Sequence, residues 1–285
     1  MLLTLLTRQD EDADEDEWNV SMAAGTCLSL LAQTVADAIV PAVIPFIEGN
    51  IKSTDWHQRE AAVMTFGSIL DGPDPGVLTP LVTQALPILI EMMRDENILV
   101  KDTTAWTLGR ICDLLIVAIS PEVHLHPLVS ALVMGLEDKP RIVVNCCWAL
   151  MNLSDQLGSY YEEDGAQPRP GPLSPYYEGI VNALLKVTDG YVSCDYLDEN
   201  LFSMCIRTSN ESNFRTSAYE ALASYVTHAG SESITVVQNT AVTTLTRMEQ
   251  LLNMQNQLLG MDDRNNWNEL QSNLCSVLIV SPFSP

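Results

Sequence analysis

A ten-residue pattern recurs along this chain at a constant interval, and no other feature restricts the fold as tightly. Glu60-Ala61-Ala62-Val63-Met64-Thr65-Phe66-Gly67-Ser68-Ile69 returns 42 positions later as Asp102-Thr103-Thr104-Ala105-Trp106-Thr107-Leu108-Gly109-Arg110-Ile111. The same interval carries Trp106 onto Trp148, within Asn145-Cys146-Cys147-Trp148-Ala149-Leu150. Shorter copies are Ala23-Ala24-Gly25-Thr26-Cys27-Leu28 and Ser217-Ala218-Tyr219-Glu220-Ala221-Leu222. Another apolar segment precedes each. Pro41-Ala42-Val43-Ile44-Pro45-Phe46-Ile47 matches Thr83-Gln84-Ala85-Leu86-Pro87-Ile88-Leu89, and Leu128-Val129-Ser130-Ala131-Leu132-Val133 fills that slot in the next copy. Two helices in about 40–47 residues is the period of HEAT or armadillo repeats. One pair cannot bury its apolar face alone, so successive pairs stack on a continuous core.

The predicted fold is all-α, a HEAT-repeat α-α superhelix (solenoid) running as one domain over 1–285. Copies fall at 1–35 (partial), 36–72, 73–117, 118–159, 173–228 and 229–280. Two irregular inserts interrupt them: 160–172, acidic and then rich in Pro and Gly, and 191–212, which has no pattern. Pro45 and Pro87 lie inside helical patterns and are expected to kink their helices rather than end them. Asp71-Gly72-Pro73-Asp74-Pro75-Gly76 and Glu137-Asp138-Lys139-Pro140 carry the turn chemistry that stops a helix.

Charge narrows the partners. Against 37 Asp and Glu stand only 14 Lys and Arg, a formal net of −23. Nucleic acid and anionic membrane surfaces both need cations from the protein, so neither is an expected partner. A basic protein segment is the natural complement, although high net charge also serves plain solubility. Seven scattered Cys without a repeated Cys-x-x-Cys point to a reducing cytosol or nucleus. The apolar opening Met1–Leu6 is too short for a signal peptide. No stretch is expected to reach the roughly 20 apolar residues of a membrane span.

Local motifs agree with a binding role. In Asp10-Glu11-Asp12-Ala13-Asp14-Glu15-Asp16-Glu17-Trp18, seven of the eight residues before Trp18 are acidic. Self-repulsion keeps such a block solvated until a cation arrives. It reads either as a solubilising loop or as a clamp for a basic segment, and the adjacent Trp18 favours the clamp. Trp18, Trp106 and Trp148 begin or line successive second helices. Asp102 lies four residues before Trp106 on one helix face, Glu60 holds the Asp102 position one repeat earlier, and Asn145 lies three before Trp148. Acids beside indole rings suit Lys and Arg, whose stems and cations lie on the rings. Packing is the competing account of each Trp, and helix capping or a bridge to a neighbouring repeat that of Asp102. Trp56, out of phase, is assigned to packing or to a helix start. His124-x-His126 is read as a surface loop, and Cys146-Cys147 as core. With no phosphate loop, nucleophile elbow or metal-ligand spacing, neither an enzyme nor a cofactor or metal is expected.

Taken together, the acidic run into Trp18-Asn19, Ala23-Ala24-Gly25, Asp55-Trp56, Ala61–Gly67, Ile69-Leu70-Asp71-Gly72-Pro73, Asp102–Cys112 and Cys147-Trp148-Ala149 resemble the importin beta (karyopherin beta) family. The resemblance covers most of 7–280 and corresponds to central repeats only. The segment 191–212 and the tail 280–285 depart from the family's pattern. The resemblance implies a nuclear import receptor moving between cytoplasm and nucleus through the nuclear pore. Its partners would be the basic helix of importin alpha, Ran-GTP as the releasing factor, and nucleoporins, mostly through repeats outside this stretch. Trp18, Glu60, Asp102, Trp106, Asn145 and Trp148 would face the basic helix, and the acidic loop of Asp10, Glu11, Asp12, Asp14, Glu15, Asp16 and Glu17 would approach both Ran and that helix. A HEAT scaffold that assembles a complex such as a phosphatase is the alternative.

Overall fold

The computed structural model describes residues 1–9, 19–159, 169–189, 212–254 and 261–280. They form two compact units, Met1–Gly135 and Leu136–Pro285. Among the described residues both are built of helices.

The first unit contains α1 (Leu2–Leu6), α2 (Val20–Val35), α3 (Val40–Asn50), α4 (Trp56–Ser68), α5 (Pro75–Met92), α6 (Ile98–Leu114) and α7 (His126–Gly135). Helix starts follow from side chains that catch the free N–H groups of the first turn. Asn19 accepts from Met22 N, Asp55 from His57 N, Asp74 from Gly76 N, and Asn97 from both Leu99 N and Val100 N. Each such cap contributes about 1 kcal/mol. Pro45 in α3 and Pro80 and Pro87 in α5 do not end their helices. The turn after α4 depends on Gly72, whose φ is +130° and whose absent Cβ would sit 2.5 Å from the Ala32 carbonyl oxygen.

Helix α4 is buried on nearly every side from Glu60 to Ser68. Small residues explain how. Ala61, Ala62 and Gly67 let α4 approach its neighbours closely, while Val63 and Phe66 fill the core between them. Burying each of these two larger side chains contributes about 1.5–3 kcal/mol. On α6, Ala105, Leu108 and Ile111 are fully buried and face the same core as Leu78, Val82 and Leu86 of α5.

Two stretches, Val20–Asn50 and Pro75–Met92, are long and apolar enough to cross a membrane by length and composition. This corrects the expectation that none approaches that length. The reason is local: α2 ends at Ala36, whose φ is +48°, and the short turn Ala36–Ile39 leads straight into α3 past Asp37, while α5 runs on through its prolines. In the fold these are the packing partners of α4 and α6.

The second unit contains α8 (Pro140–Leu157), α9 (Tyr177–Thr188), α10 (Ser212–Thr227), α11 (Ile234–Met254) and α12 (Met261–Ile279). Helix α10 packs against α8, α9 and α12. Phe214, Tyr219 and Tyr225 are its largest buried side chains. Polar pins cross between helices. The Tyr177 hydroxyl donates to the Tyr225 carbonyl at 2.7 Å, and Trp267 Nε1 donates to the Leu251 carbonyl at 2.9 Å. The division between units falls between α7 and α8, inside the copy expected at 118–159.

Candidate functional site

Of the residues singled out from sequence, Asp10, Glu11, Asp12, Asp14, Glu15, Asp16, Glu17 and Trp18 lie outside the described residues, as does most of the insert 191–212. Gln9 marks where the described chain meets the acidic run. Its side-chain Nε2 donates to the His57 carbonyl at 3.0 Å and to Glu60 Oε2.

Glu60 is 5% exposed, and Asp102 on α6 is 8% exposed. These are not the open surface carboxylates that the sequence pattern suggested. Glu60 Oε1 accepts from Thr103 Oγ1 at 2.7 Å, so one carboxyl joins the base of the acidic run to α6 across α4. Burial pushes its pKa up to about 7. The hydrogen bonds from Gln9 and Thr103 work against that rise, and the nearby charge of Asp102 adds to it.

Trp106 is partly exposed on α6 and tucks its six-membered ring against α4. A Cβ at Gly67 would lie 2.4 Å from Trp106 Cζ3 and 2.6 Å from Thr107 Oγ1, so glycine is what admits the indole. The Arg110 guanidinium carbon lies 5.3 Å from the ring centroid, within cation–π range. Arg110 Nε has no hydrogen-bond partner among the described residues. Burial lowers the Arg110 pKa, opposed by the charges of Asp71 and Asp113. Trp106 thus already carries a cation from its own helix.

Beside this joint, Arg59 makes a two-pronged pair with Asp95, Nε to Oδ2 and Nη2 to Oδ1, both at 2.8 Å. Burial works to raise the Asp95 pKa, but Arg59 and the Asn97 N–H outweigh it and hold it below the usual carboxylate range. In the second unit, Asn145 and Trp148 are partly exposed on α8, next to the buried pair Cys146 and Cys147. Burial raises the Cys147 thiol pKa, as does the charge of Glu220.

Trp56 opens α4 and stacks on the His57 ring at 3.8 Å between centroids. His124 departs from expectation. It is buried, and its Nδ1 accepts from Ser120 N at 3.1 Å, because Pro121–Leu125 wind into a π-helical turn rather than a loop. Among the described residues, no group of three or more His, Cys, Asp or Glu could hold a metal ion. Sequence reasoning missed Gln9, Thr103 and Arg110. Arg110 was legible as the i+4 neighbour of Trp106, but Gln9 lies 51 positions from Glu60 and carried no signal.

A family model described as importin subunit beta-1-like, TPR repeats, matches residues 127–196 and 194–281. A HEAT-like repeat model matches 56–111. Importin subunit beta-1 of Schizosaccharomyces pombe is 50% identical over 287 residues, covering 100% of this chain and 31% of that protein. Importin subunit beta-1 of Saccharomyces cerevisiae is 38% identical, covering 97% of this chain and 29% of its own length. A crystal structure of importin beta superposes with a TM-score of 0.85 at 40% identity, over 98% of this chain and 30% of that one. Kap95p with RanGDP gives 0.83 at 37% identity, over 98% of this chain and 30% of that one. The Kap95:Nup1 complex gives 0.81 at 38%, over 98% and 29%. The chain spans about a third of the length of the curated relatives it matches.

Proposed function

The chain belongs to the importin beta-1 family, and from that premise we propose that it is a non-catalytic segment of a nuclear import receptor that docks Lys/Arg-rich helices such as the basic helix of importin alpha. The observation that carries the reading is the 50% identity to an importin subunit beta-1 across the whole of this chain. The charge of −23 supports it, since a strongly acidic surface draws in and orients a basic segment.

In this reading the acids from Asp10 to Glu17 supply most of the attraction. Trp106 and Trp148, both partly exposed, offer ring surface to the aliphatic stems and cations of the partner, with Trp18 in the same role and Asn145 as a hydrogen-bonding neighbour. Asp102 acts from beneath the Trp106 surface and Glu60 through the network it shares with Gln9 and Thr103. The names of two solved relatives add Ran and a nucleoporin as partners, and the family resemblance, not those names, adds Ran-GTP as the releasing factor. A protein with these partners works in both cytoplasm and nucleus, at the nuclear pore.

Titration of a labelled Lys/Arg-rich helical peptide at low and near-physiological salt tests the proposal. Saturable binding that weakens with salt and disappears when Asp10 to Glu17 are neutralised is expected. A helical chain that binds no such peptide at low salt would overturn it.

A further inference from the structure

Arginine stays charged when half-buried, so its guanidinium is normally clasped by a carboxylate or by several acceptors. The first unit does this for Arg59, which pairs with Asp95. Arg110 on α6 is held in another way. Its Nε is buried with no hydrogen-bond partner among the described residues, and its Cζ lies 5.3 Å from the Trp106 ring centroid. Asp71 and Asp113 act on it through their charge rather than through a hydrogen bond. The chain has 37 acids to 14 Lys and Arg, so carboxylates are not scarce, yet this cation sits on an indole.

Helical geometry sets the contact. Residues four apart share a face, and a long side chain leans back over the turn before its own Cα, so Arg110 falls on Trp106. One edge of the indole is taken as well, since Cζ3 and Cε3 press against α4 at Gly67. A partner's cation that comes to this ring must contend with Arg110 on either face. On the same face it needs the place Arg110 fills, and on the opposite face it meets a like charge across the ring.

From this geometry we infer that Arg110 is a built-in competitor, which occupies the Trp106 ring in the free chain and yields it to a Lys or Arg of the docking partner. The inference rests on the docking role proposed above for Trp106. Arg110 also has somewhere to go. Asp113 is exposed on α6 three residues further on, in reach of an ion pair along the helix surface, and Asp71 stands in the turn after α4. Rotation of one side chain frees the ring, and no helix has to move. A segment that brings a single cation gains little from the exchange, whereas one that brings several also gains from the surrounding acids. Arg110 thereby screens out weakly basic segments.

The test is titration of the full chain and its variants with a labelled Arg-rich helical peptide at low salt. Arg110→Met keeps the apolar stem and removes the cation. It should bind about fivefold more tightly, a change of about 1 kcal/mol and the worth of a partly exposed cation–π contact. Arg94→Met removes an exposed cation just after α5, and its gain, below about twofold, measures the effect of net charge alone. Arg110→Lys returns a cation to the ring and should bring the affinity back toward that of the wild type. In a Trp106→Ala background, Arg110→Met should gain no more than Arg94→Met does, because the contested seat is gone. Matching circular dichroism spectra keep the comparison among folded chains. A gain in Arg110→Met no larger than that of Arg94→Met, or a weaker affinity, overturns the competitor role and leaves the docking reading standing. If Trp106→Ala alone binds as tightly as the wild type, Trp106 is no docking surface, and the inference falls with that part of the reading.

Discussion

Each unit buries a charged side chain at a joint between helices, and the two are handled in opposite ways. In the second unit Arg247 of α11 is 7% exposed. It donates to Thr188 Oγ1 at 2.5 Å, to the Leu185 carbonyl at 3.3 Å, and to Asp189. In the first unit Glu60 is equally buried but is met only by neutral donors. A guanidinium does not shed its proton, so Arg247 must be satisfied in place. A carboxyl can take one up, so Glu60 can be buried without a counter-ion at the cost of a titration near neutral pH. The paired joint is fixed and the unpaired one is adjustable. Arg59 and Asp95, one residue along α4, show that the first unit also builds a fixed pair where its geometry allows.

The largest effect should come from breaking the fixed joint. Arg247→Met removes the donor that Thr188 Oγ1 and Asp189 share, while the Leu185 carbonyl keeps Thr188 Oγ1, and should cost the second unit about 3 kcal/mol in denaturant unfolding, the loss of several hydrogen bonds from one charged donor. A loss below about 1 kcal/mol would mean that the two joints do not differ in kind.

The adjustable joint should show itself through pH. Folded Glu60 keeps its proton up to about pH 7, whereas the unfolded chain releases it near the ordinary value of 4.5. Between those values the folded state binds the extra proton, so its contribution to stability is complete below 4.5, falls as pH rises, and levels off above 7. The fall is on the order of 3 kcal/mol, read as the difference between wild-type and Glu60→Gln melting curves across the window. Equal slopes for both would remove the contrast with Arg247.

A smaller effect probes the close approach that makes the joint possible. Gly67→Ala drives a methyl into Trp106 and Thr107 and should cost about 2 kcal/mol, with a change in Trp106 fluorescence. The smallest is a control. Asn97→Ala uncaps α6 for about 1 kcal/mol and should leave the Glu60 titration where it was. A shifted titration would mean that the joint senses the whole helix rather than its own neighbours.

Much of the fold was legible because it is written locally. The 42-residue interval, the Asn and Asp caps and the Gly-Pro turn each act within a few positions of where they stand in the chain, so helices α3 to α6 follow from sequence. Trp106 was legible as a ring on the second helix of its pair. The membrane-length stretches were misjudged because the turn Ala36–Ile39, which leads α2 directly into α3, is visible only in the structure.

What the sequence by itself determined is the period, the helical class and the acidity, together with a family resemblance specific enough to point to a basic partner. What only the tertiary structure decided is which side of each helix is covered and by what. The helical period shows that Glu60 and Asp102 hold equivalent positions, but not that Gln9, 51 residues away, closes over one of them. Nor does it show that Pro121–Leu125 wind so that His124 turns inward. Burial is a property of neighbours distant in the chain, and for an ionisable group burial sets the charge.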